Sequence, residues 1–147
     1  MKNIDTVFQR FVEWDSRPAL YWRGQTLTYG EFLGQVDVWV KDLNKRGVKA
    51  GSVVALFGDY SPASCTLFFA LLKLKAIAVP LTPAVLAEFD QFMEISGAEF
   101  LICFDEEDNW TFESGYKAPQ NQLIQQFLSE DNPGLIVFTS GSTGAPK

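Results

Sequence analysis

The order in which apolar residues recur between Val53 and Phe138 constrains this chain more than any other feature. Short continuous apolar runs alternate there with stretches whose apolar residues keep helical spacing. Val53-Val54-Ala55-Leu56-Phe57 reads as a buried strand and Gly58-Asp59-Tyr60 as a turn. Ser61-Pro62 reads as a helix start, because proline at the first helical position gives up no internal donor. The helix that follows is expected to reach Leu74 or Lys75 with most faces apolar, as a helix packed between a sheet and another layer requires. Ala76 to Leu81 reads as a second strand, with Pro80 marking an end or edge that leaves the ladder. Val85, Leu86, Phe89, Phe92 and Met93 form one helical stripe stopped at Gly97, and Glu99 to Phe104 reads as a strand. Thr111 to Gln120 has loop composition, with Gly115 and Pro119 as breakers. Leu123, Ile124, Phe127 and Leu128 predict a short helix; after a turn at Asp131-Asn132-Pro133-Gly134, Leu135 to Phe138 is the last buried strand. The alternation predicts an α/β fold in three layers, a mostly parallel sheet flanked by helices.

Upstream, Val7, Phe8, Phe11, Val12 and Trp14 give Thr6 to Trp14 a helical pattern that Arg17-Pro18 ends. Residues 19–27 read as a hairpin, Ala19 to Trp22 and Gln25 to Leu27, joined through Arg23-Gly24. Thr28 followed by Glu31 is a capping box, in which each side chain satisfies an otherwise free backbone N–H. Tyr29, Phe32, Leu33, Val36, Val40 and Leu43 then keep one apolar helical face up to the stop at Gly47. The 147 residues fit one compact domain, with an α/β core over 53–138 and a loop over 139–147.

Charge and residue inventory narrow the chemistry. Twelve basic against eighteen acidic residues give a net charge of -6, so nucleic acid is not an expected partner. The absence of histidine excludes histidine-based triads and zinc sites from this segment. Cys65 and Cys103, each inside an apolar run, read as free buried thiols in a reducing, cytoplasmic setting. No signal-type segment opens the chain, and Lys73, Lys75, Pro80 and Pro83 interrupt its richest apolar stretch, so no transmembrane segment is expected. Asp105-Glu106-Glu107-Asp108 lacks the alternating ligands and glycine of a calcium loop and reads as a solvated loop. Asn109-Trp110-Thr111 is a chance sequon. Asp59 and Tyr60 read as turn and helix-start residues rather than cavity-bordering ones. Lys73 and Lys75 are expected to snorkel at the surface. The four tryptophans are too scattered to form a base-stacking platform and are assigned to packing.

Chemistry is concentrated after Phe138, in Thr139-Ser140-Gly141-Ser142-Thr143-Gly144-Ala145-Pro146-Lys147. Gly141 and Gly144 permit close backbone approach, Thr139, Ser140, Ser142 and Thr143 offer hydrogen-bond donors, and Lys147 can offset phosphate charge. The run reads as a polyphosphate cradle. It matches neither the standard ATPase loop, since Pro146 stands where the second glycine is required, nor the dinucleotide pattern. A Ser/Gly-rich linker is the competing assignment. Position directly after a buried strand favours the cradle, because ligands of such sheets gather beyond the strands' carboxyl ends.

At these residues the sequence resembles the superfamily of AMP-forming acyl-CoA synthetases, amino-acid-adenylating enzymes and luciferases. Phe138 through Lys147 carries the most specific match. Leu27 through Phe32 and Leu71 through Pro83 resemble two further family segments in the expected order, although Leu74-Lys75 stands where members often have Ala-Gly. The resemblance spans nearly the whole chain and corresponds to the first quarter to third of such an enzyme. It implies an amino-terminal subdomain that uses ATP and Mg2+. A substrate carboxylate attacks the α-phosphate to give an acyl-adenylate and pyrophosphate, and a thiol of CoA or of carrier-protein pantetheine then displaces AMP. Thr139, Ser140, Ser142 and Thr143 would hold the β- and γ-phosphates, and Lys147 would screen charge; it is not the later adenylation lysine, which lies outside this stretch.

The leading expectation is a carboxylate ligase that makes an acyl-CoA thioester, with a carboxylic acid, ATP and CoA or an acyl carrier protein as partners. Alternatives are an amino-acid or aryl-acid adenylation enzyme loading a carrier protein, and a noncatalytic nucleotide-binding or assembly module. No confidently catalytic residue and no metal ligand is assigned within the stretch. With the last strand so near the end and no helix to cover it, the sheet is expected to be completed by further chain or by a homo-oligomer partner, and the isolated chain is expected to be inactive.

Overall fold

The computed structural model describes residues 2–116, 122–128 and 132–138. Helix α1 (Lys2–Trp14) leads into a two-stranded antiparallel ribbon of β1 (Pro18–Trp22) and β2 (Gln25–Thr28), turned through Arg23 and Gly24, both at positive φ. Thr28 caps α2 (Tyr29–Lys45): Glu31 N–H donates to the Thr28 hydroxyl and Thr28 N–H donates to the Glu31 carboxylate at 2.9 Å. The buried face of α2 is Phe32, Val36, Trp39 and Leu43, so Trp39 completes the apolar stripe.

The remaining elements build the sheet. They run β3 (Val53–Phe57), α3 (Pro62–Lys73), β4 (Ile77–Leu81), a 3-10 segment (Pro83–Glu88), α4 (Phe89–Ser96), β5 (Phe100–Phe104), β6 (Trp110–Ser114), α5 (Gln122–Leu128) and β7 (Gly134–Leu135). The strand order is β6-β5-β3-β4-β7, with β5, β3, β4 and β7 mutually parallel and β6 antiparallel on β5. The fold is α/β in three layers, and the period of two along each strand explains why. Val54 and Leu56 point into one apolar cluster with Phe32, Val36, Leu67 and Leu71 of α2 and α3, whereas Val53 and Ala55 point into a second with Phe92, Met93 and Ile124 of α4 and α5. A strand buried on both faces needs a continuous hydrophobic run, and Val53–Phe57 supplies it.

Several local expectations are corrected. Residues 110–114 form an edge strand, not a loop; Phe112 packs on Phe100 and Trp110 on Trp39, with ring centroids 5.7 and 4.8 Å apart. The stripe from Val85 to Met93 is not one helix: Pro83–Glu88 is a 3-10 segment that is itself kinked at Val85 (φ -107, ψ 22), and α-helix begins only at Phe89. Helix α3 stops at Lys73, and Lys75 turns the chain at φ 57. The last strand pairs over Gly134–Leu135 alone, followed by one bond from Ile136 N–H to the Ala78 carbonyl at 2.9 Å. Lys73 stays at the surface, as expected, where its ammonium also meets Asp37 at 2.7 Å. Cys65 and Cys103 are free thiols but half-buried rather than buried. Among the described residues no helix is long and apolar enough to cross a membrane.

Candidate functional site

All four parallel strands deliver their carboxyl ends to one side of the sheet. There β3 runs into Gly58-Asp59-Tyr60, β4 into Thr82, β5 into Asp105, and β7 into Ile136, Val137 and Phe138. Between these ends lies a cavity of about 570 Å³. Leu56 and Leu81 belong to its sheet side, Phe68 and Phe69 of α3 and Phe92 of α4 to its helical walls, and Asp59, Ser64 and Thr82 bring polar groups to a lining that is otherwise apolar and aromatic. Crevices beyond strand carboxyl ends are where open α/β sheets take ligands. Asp59 and Tyr60 both line the cavity, contrary to the turn-only expectation, and Tyr60 stays 79% exposed.

The first turn of α3 borders this cavity, and its donors are fully accounted for. Pro62 has none, Ala63 N–H donates to the Asp108 carboxylate at 3.0 Å, Ser64 N–H to the Ser61 hydroxyl at 3.1 Å, and Cys65 N–H to the Ser61 carbonyl at 2.9 Å. Asp108 also accepts from the Ser61 hydroxyl. The four-acid run is therefore not simply solvated: Asp108 is committed to α3, and Asp105 accepts from the N–H groups of Glu107 and Asn109, each at 2.9 Å. The anion that a helix amino terminus attracts is here the protein's own. Burial, with the Asp108 charge adding to it against a hydrogen bond from Ser64, pushes the Cys65 thiol up, so this cavity residue is not an activated nucleophile.

On the opposite wall, Phe92 and Phe138 stack with centroids 4.1 Å apart and planes 8° from parallel. Phe138 carries the chain to the segment Thr139, Ser140, Gly141, Ser142, Thr143, Gly144, Ala145, Pro146 and Lys147, which lies outside the described residues. No three His, Cys, Asp or Glu side chains gather as a metal-ligand set among the described residues.

The sequence pattern of AMP-binding enzymes matches residues 8–147, nearly the whole chain. The chain belongs to that family. This AMP-binding subdomain is 30% identical over 132 residues to bacitracin synthase 1 of Bacillus licheniformis, covering 89% of the chain and 2% of that protein. It is 31% identical over 153 residues to delta-poly-L-ornithine synthetase of Acinetobacter baumannii (strain AB307-0294), covering 89% and 11%. Among solved structures, the Klebsiella oxytoca NpsA N-terminal subdomain in complex with 3-hydroxyanthranilyl-AMSN superposes with a TM-score of 0.71 at 26% identity, over 98% of this chain and 38% of that one. The architecture is thus that of an amino-terminal adenylation subdomain, and the chain spans a small part of each curated relative it matches.

Neither the cavity nor the role of Asp108 was visible in the sequence. Both depend on contacts between segments dozens of residues apart, and an aspartate in an acidic run looks like any other solvated charge.

Proposed function

We propose that this chain forms the ATP-binding entrance of an enzyme that activates an amino acid or aryl acid as its adenylate and passes the acyl group to a carrier-protein thiol. The observation that carries the reading is its likeness to bacitracin synthase 1 and to a synthetase named for poly-L-ornithine, a polymer of an amino acid, together with a structural relative named for an aryl ligand. These relatives favour amino or aryl acids over the acyl-CoA product that heads the sequence-based expectations. In the reaction a substrate carboxylate oxygen bonds to the α-phosphorus of ATP as pyrophosphate leaves; the thiol sulfur then bonds to the acyl carbon and AMP leaves.

This chain's share is binding and orientation. Thr139, Ser140, Ser142 and Thr143, with nearby backbone N–H groups, hold the β- and γ-phosphates, Gly141 and Gly144 let the backbone approach, and Lys147 screens the charge. Support for assigning that work to 139–147 comes from its place in the sequence directly after the segment that follows β7 and from the satisfied amino terminus of α3, which leaves no open donor set there for phosphate. Magnesium, when bound with ATP, supplies charge neutralisation. The described residues offer no carboxylate set to hold it.

The test is carboxylate-dependent ATP–pyrophosphate exchange by the natural gene product across amino, aryl and alkyl acids, with Lys147→Ala alongside. Exchange strongest with amino or aryl acids is expected, with the variant lower by about one to two decades. Exchange with alkyl acids alone, followed by acyl-CoA formation, would return the assignment to an acyl-CoA ligase; no exchange with any acid would leave a noncatalytic module.

A further inference from the structure

The segment that leads into the loop is held in two different ways. Gly134 N–H donates to the Ala76 carbonyl at 3.1 Å and Ile136 N–H to the Ala78 carbonyl at 2.9 Å, so residues 76 and 78 turn their polar groups toward β7. By the same alternation residue 80 faces that side too, and it is proline, which has no N–H to offer the Ile136 carbonyl. Backbone pairing therefore gives out two residues before the loop begins. At that point a ring contact takes over. Phe138 lies flat on Phe92, which is 6% exposed, whereas the other ring pairs of the described residues meet tilted or edge-on.

We propose that Phe92 is a positioning residue: its ring clamps Phe138, the residue that directly precedes the run proposed to bind phosphate. The inference rests on the reading of 139–147 given above. It follows from the geometry because a stack of two rings fixes both the height and the tilt of Phe138, replacing the two constraints that a further ladder bond would have imposed. Small displacements of a group that must meet a transferring phosphate are costly in rate, so a loose root has a kinetic signature distinct from a loose core.

The experiment uses the natural gene product with Phe92→Leu, Phe92→Ala and Phe92→Tyr. Leucine keeps most of the volume without a flat ring; tyrosine keeps the ring. ATP–pyrophosphate exchange gives KM for ATP and for the carboxylic acid, and amide hydrogen exchange is followed over 139–147. Leucine and alanine are expected to raise KM for ATP by about tenfold while KM for the acid stays within about twofold, and tyrosine to restore the wild-type value. Amide exchange over 139–147 is expected to quicken with leucine and not with tyrosine. If alanine does not fold, leucine carries the test. Unchanged KM for ATP and unchanged loop exchange in a folded leucine variant would overturn the positioning role while leaving the adenylation reading intact, as would both KM values rising together. Faster loop exchange in a protein whose wild type shows no adenylation would keep the positioning role and reject the adenylation reading.

Discussion

Asp108 and Ser61 stand 47 residues apart in sequence and share a hydrogen bond, the serine hydroxyl donating to the aspartate carboxylate. The second carboxylate oxygen of Asp108 accepts the N–H of Ala63 at 3.0 Å. Together they fasten the β5–β6 connection to the first turn of α3, beside the cavity at the strand ends. The positive end of the α3 dipole thus has its counter-charge built into the fold. A polyphosphate arriving at this side of the sheet would meet no open donors at this turn, which supports the phosphate-binding role proposed for 139–147.

Removing the Asp108 carboxylate is expected to cost stability. Asp108→Ala leaves Ala63 N–H without its acceptor and is expected to destabilise by about 1–2 kcal/mol, the range for a lost helix cap. Urea unfolding checks it. In a double-mutant cycle, Ser61→Ala and Asp108→Ala should fall short of additivity because they share one interaction. Simple additivity would show that the link carries no energy.

Two glycines should respond in opposite directions. Gly58 sits at φ +151, and a Cβ there would lie 2.9 Å from Phe104 Cβ. Gly58→Ala is therefore expected to destabilise by about 1–3 kcal/mol through backbone strain. Gly34 lies inside α2 with nothing within 4 Å of such a Cβ. Gly34→Ala should stabilise by about 0.5–1 kcal/mol, the helix-propensity difference. Urea midpoints of both variants decide the matter, and equal signs would contradict the conformational argument.

These contacts also mark what could be read from the chain alone. Local chemistry was legible: the Thr28–Glu31 box, the Ser61-Pro62 helix start, the buried run Val53–Phe57 and the left-handed stop at Gly97 each act within a few residues. Edge strand β6 was not, because its residues 110, 111, 113 and 114 stay exposed and only Phe112 is half-buried, leaving no buried alternation to recognise. The Val85 kink was hidden for a similar reason, since helical spacing continues across it. Of the candidate site, the Ser/Thr/Gly composition on which the proposed phosphate-binding role of 139–147 rests is present in the sequence itself, whereas the cavity, the Asp108 tether and the Phe92–Phe138 stack arise only when distant segments meet.

The capping box at α2 gives stability an acid limb. Hydrogen bonds from the Thr28 N–H and then its hydroxyl hold Glu31 below its ordinary value of 4.5. A carboxylate lowered on folding contributes stability that is present above the unfolded value and disappears as pH falls through the folded one. Glu31→Gln keeps a capping side chain that does not titrate. Unfolding free energies measured from neutral pH down through the carboxylate range should therefore decline less steeply in the glutamine variant. Parallel curves would show that Glu31 is not held in its ionised form.

The cavity thiol should respond at the other end of the pH scale. Burial first, and the Asp108 charge after it, raise Cys65 above the ordinary thiol value of 9.0 against the opposing hydrogen bond of Ser64. The folded state then favours the neutral thiol, so its contribution to stability is complete below the unfolded value and is lost as pH rises through the folded one. The same shift leaves little thiolate at neutral pH, and thiolate is the reacting species. Cys103 is raised too, chiefly by burial, so the measurement belongs in a Cys103→Ser background. Iodoacetamide labelling of Cys65 in the folded protein is expected to be slower at neutral pH than in the urea-unfolded chain, and its rate profile should be displaced to higher pH. Asp108→Asn should move that profile part of the way back, because it removes the charge and leaves the burial. Labelling that matches the unfolded chain at every pH would mean that the first turn of α3 neither buries the thiol nor presents it to the Asp108 charge.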